Sequence, residues 1–248
     1  MINYIYRDII LKHEQWETTI HIYMDDIGIV TWTNMDNHKA AVSDVLQVVI
    51  DHNLFFKLEK CTFHAPSMDY LGVILEKGVT CMDLVKIASI DKWETPQNVT
   101  EVWRAVGFFN FYCPFIKGFA HITWPLHRLT KKDQEWQWGQ EEQEAFNTLK
   151  ACVTAELVLA HANLNKQFEL EVDASRYAVG AVLLQCKEDG KKHPIGYYSV
   201  TLNEAQRNYD IYNLKLLAIV MALWNWQPLL VGSPHKIIIY SDHLNLQY

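Results

Sequence analysis

Short runs of alternating apolar and polar residues near the N-terminus define the first predicted element. Ile20–Tyr23 and Ile27–Val30 are rich in β-branched residues and alternate with a period near two, which is typical of strands. Between them lie Met24, Asp25 and Asp26. The pattern therefore predicts a β-hairpin with two adjacent carboxylates at its tight turn.

Helical periodicity follows the hairpin. The apolar positions over residues 37–52 recur at helical spacing and share one face: Val42, Val45, Leu46, Val49 and Ile50. Capping residues and prolines predict three more helices, which run from Asp83 to Trp93, from Thr100 to Pro114 and from Glu141 to Val153.

Two apolar segments between these helices predict strands. They cover residues 55–63 and 68–75, and a turn at 77–78 leads into a further extended segment at 79–81. A linker is predicted at about residues 157–166, although the composition changes little there.

The C-terminal third has the pattern of three strands, a helix and a fourth strand. A hairpin turn at Lys187–Gly190 joins the second and third strands. The predicted strands are Phe168–Val172, Ala178–Cys186, His193–Val200 and Lys236–Tyr240, and the long helix runs from Glu204 to about Trp226. Asp173 and Asp242 follow the first and the fourth strand closely.

Composition limits the class of protein. The chain has 248 residues, half of them apolar, which is enough for two domains or a domain and a half. Its five scattered cysteines give no disulfide framework and suggest a reducing compartment. Cys61 and His64 have a zinc-like spacing, but no second pair follows them. Without an apolar run of ~18 residues or a signal-peptide pattern, we expect an intracellular protein with no membrane span.

The formal net charge of −7 is unusual for a protein that binds nucleic acid. Two explanations are open: basic residues gather locally, or the part that binds nucleic acid lies outside this chain. The local clusters are Lys57 with Lys60, Arg128 with Lys131 and Lys132, and Lys187 with Lys191 and Lys192. The charge argues against strong autonomous binding.

The adjacent carboxylates of Asp25 and Asp26 have two interpretations. Two like charges held side by side repel, so a shared cation would explain why they are kept together. Oxygen ligands without a nearby His or Cys favour Mg²⁺ or Mn²⁺, the ions of phosphoryl transfer. For an isolated Asp-Asp pair, a solvated turn would be the better interpretation.

Several motifs, in order along the chain, decide between these interpretations. The motifs are Tyr23-Met24-Asp25-Asp26, Leu58–Phe63, Tyr70–Ile74, Val106–Tyr112, Ala145–Lys150, Val172–Ser175, Asn208-Tyr209-Asp210 and Tyr240–Leu246. Together they resemble the reverse transcriptase and ribonuclease H polyprotein of long-terminal-repeat retrotransposons of the gypsy type.

The resemblance implies an α+β fold in three parts. Residues 1–80 would be the C-terminal part of a reverse transcriptase palm, and residues 81–156 a helical thumb and connection. Residues 157–248 would be a ribonuclease H-like α/β domain with a mixed sheet, shortened at its C-terminus.

The resemblance also implies functional roles at the palm. Asp25 and Asp26 would bind Mg²⁺ or Mn²⁺ for an RNA-directed DNA polymerase acting on an RNA/DNA template-primer. Tyr70-Leu71-Gly72 would position the primer terminus, while Tyr23 and Met24 would touch the primer or nucleotide. Three basic residues would meet backbone phosphates, with solvated surface charge as the alternative: Lys57, Lys60 and Arg104.

In the ribonuclease H-like part, the resemblance makes the ends of the first and fourth strands neighbours. Asp173 and Asp242 would then approach one another, hold two Mg²⁺ ions and cut the RNA of an RNA–DNA hybrid.

Three departures from the family pattern weaken the catalytic prediction. The chain begins after the strand expected to carry a third palm carboxylate. Lys215 stands where the family has a catalytic Glu, and its ammonium would repel Mg²⁺ or pair with Asp173. Cys113-Pro114 replaces two arginines of the thumb. We therefore expect little activity from this chain alone. The alternative is a non-catalytic remnant that binds nucleic acid or protein, and exposed apolar surface would bring a risk of self-association.

Overall fold

The computed structural model divides the chain into two compact units, residues 1–78 and residues 79–248. It describes residues 5–14, 18–31, 34–76, 78–88, 90–132, 134–155 and 158–242. The predicted boundary at 156/157 and the turn residue at 77 lie outside the described residues, as does the end of the last family motif, residues 243–248.

The N-terminal unit combines two helices with two β-hairpins. Helix α1 (Arg7–Glu14) precedes strands β1 (Thr18–Tyr23) and β2 (Asp26–Thr31), and helix α2 (Met35–Asp51) follows them. Strands β3 (Ser67–Tyr70) and β4 (Val73–Glu76) form the second hairpin. The predicted acidic hairpin and the helix after it are confirmed.

The core of this unit lies between the helices and the first hairpin. Tyr6, Ile20, Val45 and Val49 are buried together, and the isoleucines of the hairpin pack against them. Alternation along β1 puts Ile20 on the inner face and His21 on the outer one, because side chains of a strand point to opposite faces. The register of the acidic hairpin is therefore fixed by its apolar face.

Residues 55–63 do not form the predicted strand. They lie outside regular structure except for a short 3₁₀ turn, Leu58–Lys60. Their apolar side chains are not buried, since Phe55 is 94% exposed and Leu58 is 77% exposed. A strand needs a neighbouring strand to satisfy its backbone hydrogen bonds, and the apolar pattern does not show whether one is present. The strand prediction for these residues was therefore wrong.

The C-terminal unit begins with a helical layer. Strand β5 (Val79–Met82) leads through the short helix α3 (Leu84–Ile87) and a 3₁₀ turn to α4 (Val99–Phe111), α5 (Phe119–Leu129) and α6 (Gln140–Thr154). Strand β6 (Val158–Ala160) then pairs antiparallel with β5, so part of the segment predicted as a linker belongs to a sheet.

Two predictions about this helical layer are wrong in detail. Asn98, not Thr100, caps α4, because its side-chain oxygen accepts a hydrogen bond from the backbone N–H of Glu101 at 3.0 Å. The helix predicted from Asp83 to Trp93 is only the four-residue α3 and a separate 3₁₀ turn at Ile90–Lys92.

The rest of this unit is a mixed sheet with a helix on one face. The strands are β7 (Phe168–Ala174), β8 (Ala178–Cys186), β9 (Lys192–Thr201) and β10 (Ile238–Tyr240), in the order β10-β7-β8-β9. β10 runs parallel to β7, and the other pairs are antiparallel. The four predicted strands and the α+β class are therefore confirmed.

The predicted long helix is broken in two. Helix α7 (Glu204–Arg207) ends at Asn208, and α8 (Ile211–Asn225) begins after Asp210, before the short α9 (Gln227–Leu230). Leu214, Ala218 and Ala222 of α8 pack on Phe168 and Leu170 of the sheet. This packing fixes which side chains of α8 reach the end of β7.

We expect replacement of Asp44 by alanine to lower the stability of the N-terminal unit by about 1–2 kcal/mol at pH 7. Asp44 pairs with Lys12 at 2.5 Å and with the fully buried His13 at 2.7 Å. The hydrogen bond from Lys12 holds the pKa of Asp44 below its usual value, although partial burial opposes this effect and His13 adds to it. Stabilisation by a carboxyl with a lowered pKa is present above the unfolded pKa, and it is lost as the pH falls through the folded value.

Urea titrations followed by hydrogen exchange of peptides from residues 5–60 would check this expectation. The difference between wild type and Asp44→Ala should be full at pH 7 and should shrink below about pH 4. Asp51→Ala is the matched control, since Asp51 is an exposed carboxylate on the same helix. A pH-independent difference would show that the charge of Asp44 is irrelevant.

No helix among the described residues is long and apolar enough to cross a membrane.

Candidate nucleic-acid and metal sites

The acidic pair sits at a two-residue turn. Tyr23 pairs with Asp26 as the last partners of β1 and β2, so Met24 and Asp25 form the turn itself. Met24 takes the left-handed conformation with φ 53°. Tyr23 and Met24 are 52% and 70% exposed, and both aspartates are exposed as well. The turn therefore presents two carboxylates to solvent.

The predicted primer-positioning segment forms a second tight turn. Tyr70 pairs with Val73, and Leu71 and Gly72 between them have φ values of 53° and 88°. Two positive φ values in a two-residue loop match the twist of a hairpin, and Gly adopts this conformation without strain. The Tyr-Leu-Gly sequence thus fixes where the turn falls.

Gly28 brings the two hairpins of the N-terminal unit into contact. A Cβ atom at this position would lie 2.8 Å from Cε of Met68 and 3.1 Å from the ring of Tyr70. The ring of His21 also lies 5.8 Å from that of Tyr70, centroid to centroid. Because only a residue without a side chain leaves room for the tyrosine ring, Gly28 sets the distance between the hairpins.

The electrostatics of Tyr70 reflect this contact. Burial raises the pKa of its phenol, and the negative charge of Asp26 raises it further. The hydroxyl therefore stays protonated at neutral pH and can donate a hydrogen bond. The structure thus places a phenol donor close to the acidic turn.

Asp25 and Asp26 fit a divalent cation only in part. The described residues contain no group of three or more His, Cys, Asp or Glu side chains that could hold a metal ion. Mg²⁺ requires six oxygen ligands, and in nucleotide-handling sites one or two carboxylates are commonly completed by substrate phosphates and water. The exposed pair suits such a shared site.

The predicted phosphate-binding residues lie on two different elements. Lys57 precedes and Lys60 ends the exposed 3₁₀ turn of the N-terminal unit, with Lys60 N–H donating to the Lys57 carbonyl at 2.9 Å. Arg104 is an exposed residue of α4 in the other unit. Their roles remain predictions.

The second pair of predicted carboxylates comes together at the end of the mixed sheet. Asp173 lies near the end of β7, and Asp242 follows β10 by two residues. Parallel pairing of Tyr240 with Glu171 brings these strand ends side by side. Both side chains are open to solvent, with 86% and 72% of their side-chain surface exposed.

Lys215 of α8 contacts both of these carboxylates. Its Nζ atom donates a hydrogen bond to Oδ1 of Asp242 and lies 3.7 Å from Oδ1 of Asp173. Only 6% of the residue is exposed. The expected ion pair with Asp173 is present, and Asp242 is a second partner, because β10 brings that carboxylate to the ammonium.

Sequence reasoning missed the residues that hold the first site together. Gly28, Met68 and His21 were not singled out, although a glycine inside a strand is a known sign that another chain segment approaches closely. Nothing in the local sequence identifies Tyr70 as the approaching residue, since the contact joins two hairpins.

Two protein families match this chain. Residues 1–75 match the reverse transcriptase (RNA-dependent DNA polymerase) family, and residues 138–239 match the RNase H-like domain found in reverse transcriptase. These two matches thus define a segment of a reverse transcriptase that carries an RNase H-like domain.

Proteins with similar sequences identify the kind of reverse transcriptase more closely. The chain is 37% identical over 235 residues to the Transposon Tf2-3 polyprotein of Schizosaccharomyces pombe (strain 972 / ATCC 24843), which covers 94% of this chain and 17% of the polyprotein. It is 36% identical over 232 residues to the Tf2-7 polyprotein of the same organism, with 93% and 17% covered. The chain belongs to the gypsy-type retrotransposon polyproteins, and it spans about a sixth of the length of these relatives.

Solved structures have the same fold. The foamy viral protease-reverse transcriptase dRH in complex with ds DNA matches with a TM-score of 0.75 at 17% identity, covering 98% of this chain and 41% of that one. The foamy viral protease-reverse transcriptase in complex with RNA/DNA hybrid also gives 0.75, at 18% identity, with 97% and 31% covered. The sequence matches thus confirm the recognised family, and the solved structures confirm the fold.

Proposed function

We propose that this chain supplies the metal-binding turn and the primer-positioning turn of a retrotransposon RNA-directed DNA polymerase. The observation that carries the proposal is the packing of Tyr70 and Met68 over Gly28, beside the acidic turn. Asp25 and Asp26 would hold Mg²⁺, and Leu71 and Gly72 would contact the primer strand. The proposed partner is a primer-template duplex.

The chemistry follows from what each group can do. A bound Mg²⁺ would neutralise phosphate charge and orient the reacting oxygens. Tyr70, whose pKa is raised by burial and by Asp26, offers a neutral donor to the primer backbone. The exposed Tyr23 and Met24 offer a flat apolar surface to a nucleotide. We further propose that a third carboxylate from elsewhere in the polyprotein completes the polymerase centre.

The net negative charge of the chain supports metal-dependent binding of a nucleic-acid duplex. With a net charge of −7, the protein repels a phosphate backbone unless cations bridge the two. An exposed carboxylate pair is the place where such a bridge forms. Affinity for a duplex should then depend on Mg²⁺ through Asp25 and Asp26.

Fluorescence anisotropy of a labelled RNA-templated primer would test this proposal. At low salt, we expect binding by the wild-type chain to tighten by about tenfold from EDTA to millimolar Mg²⁺, equivalent to ~1.4 kcal/mol. The double variant Asp25→Asn/Asp26→Asn should lose this Mg²⁺ dependence, because the bridging ligands are gone.

The control is Asp36→Asn/Asp51→Asn, which removes the same charge from exposed positions on α2. It should keep the Mg²⁺ dependence of the wild type. The proposal fails if Asp25→Asn/Asp26→Asn responds to Mg²⁺ as strongly as this control does.

A further inference from the structure

The second carboxylate pair, Asp173 and Asp242, lies in the RNase H-like domain and contacts a lysine. The family to which this chain belongs usually uses divalent metals. Here Asp173 and Asp242 are joined by the ammonium of Lys215, and the described residues offer no third acidic ligand beside them. The residues present therefore do not fit a divalent ion.

We infer that Lys215 is the resident cation of this pair and that the domain binds no divalent metal there. A protonated amine has three donors and no lone pair, so it cannot be a metal ligand. It can only compete with the ion for the same oxygens. The ammonium lies against an oxygen of each aspartate, so a divalent ion would have to displace it to bind there.

The burial of Lys215 indicates that its contact with Asp173 and Asp242 is stable rather than transient. Lysine is almost never buried without a partner, because its charge must be compensated. Lys215 is 6% exposed on a helix whose neighbouring residues, Leu214 and Ala218, belong to the core. Its stem is therefore packed, and its ammonium emerges at the two solvent-exposed aspartates.

The surroundings of Asp173 also disfavour a metal. Its Oδ1 atom accepts a hydrogen bond from the backbone N–H of Ala174 at 2.8 Å and faces Lys215 at 3.7 Å. Asp210 cannot stand in for a missing acidic ligand, since it begins α8 more than a helical turn before Lys215. One lysine between two aspartates leaves a net charge of −1, which attracts a divalent ion far less than three carboxylates would.

Replacing Lys215 by glutamate should remove the competing cation and add the third oxygen ligand in one step. The same backbone would then present three carboxylates, from β7, α8 and the segment after β10. A divalent ion should bind to that variant and not to the natural sequence.

The experiment uses Mn²⁺ alone as the probe, in full-length protein carrying Asp25→Asn/Asp26→Asn so that the palm turn does not contribute. Isothermal titration and the electron paramagnetic resonance signal of free Mn²⁺ would measure binding. We expect the background protein to bind Mn²⁺ with the same weak affinity whether or not Asp242→Asn is added. Adding Lys215→Glu should tighten binding at least tenfold, and Asp242→Asn should abolish that gain.

The comparison without Lys215→Glu tests the inference even if that variant does not fold. Saturable Mn²⁺ binding by the background protein that disappears with Asp242→Asn would overturn it. Lys215→Met provides a second check, because it removes the ammonium and keeps the packed stem. It should bind Mn²⁺ more tightly than the background protein and more weakly than Lys215→Glu. Binding unchanged in both folded variants would also overturn the inference.

Discussion

Truncation of Phe109 to alanine is expected to destabilise the C-terminal unit by about 3–5 kcal/mol, the largest effect of any substitution considered. Phe109 is fully buried on α4. Its ring meets those of Trp93, Phe108 and Phe146 at centroid distances of 5.7, 5.6 and 6.1 Å, each near-perpendicular. Removing it leaves a cavity among rigid rings that cannot collapse into the space, so the full cavity penalty applies.

Thermal and urea unfolding monitored by tryptophan fluorescence would measure this loss, because Trp93 borders the cavity. The matched control is Phe111→Ala on the same helix, where 49% of the residue is exposed. It should lose no more than about 1 kcal/mol, since less apolar area leaves the interior. Equal losses for the two variants would show that the ring cluster does not support this layer.

Replacing Arg128 by methionine should lower the stability of the same unit by about 2–3 kcal/mol at pH 7. Arg128 bonds Glu142 at 2.8 Å and Glu141 at 3.0 Å. Glu142 is only 3% exposed, so the variant leaves a buried carboxylate without its cation. The estimate is below that of a fully buried pair because 43% of the Arg128 side chain is exposed.

The pH dependence of this loss has a definite sign. Burial acts to raise the pKa of Glu142, but hydrogen bonds from Arg128 and from the backbone of Gly139 outweigh burial and hold the pKa below its usual value. The stabilisation is therefore present above about pH 4.3 and disappears as the pH falls through the folded pKa. Urea titrations should show the gap between wild type and Arg128→Met closing at acidic pH.

The control is Arg104→Met, because Arg104 is an exposed arginine on α4. It should change stability by less than about 0.5 kcal/mol at every pH. If Arg128→Met behaves in the same way, Glu142 is stable in the interior without its partner.

The parts of the fold with strong periodicity could be predicted from the sequence. Alternation of apolar and polar residues placed the first strand of the acidic hairpin and β7, because buried positions alternate with more exposed ones along each of them. Residues 55–63 show the limit of this reasoning, since Phe55 is apolar and yet exposed. Whether an apolar run finds a partner is decided by distant residues.

Helix α5 could not be predicted because it contains a proline. Pro125 lies well inside Phe119–Leu129, where it removes one backbone hydrogen bond. The helix persists because Phe119, Leu126 and Leu129 are buried. Tertiary packing here outweighs the local signal, which would have ended the helix near this residue.

The two carboxylate pairs were predictable to different degrees. Asp25 and Asp26 are adjacent in the sequence, so their proximity could be predicted. The contact between Tyr70 and Gly28 depends on the tertiary packing of two hairpins. Asp173 and Asp242 were expected to be close only because of the family's strand order. That Lys215 also reaches Asp242 follows from the parallel edge strand, which no local pattern reveals.

That parallel edge strand also orders events during synthesis and folding. β10 pairs with β7, which is synthesised much earlier. The side-chain amide of Gln167, for example, donates a hydrogen bond to the carbonyl of Lys236, 69 positions later. Such distant pairing is slow, because a long loop must close first. Helix α8 leaves the ribosome before β10, so Lys215 can already lie beside Asp173 when the last strand docks. Asp242 then arrives at an ammonium that is already in place.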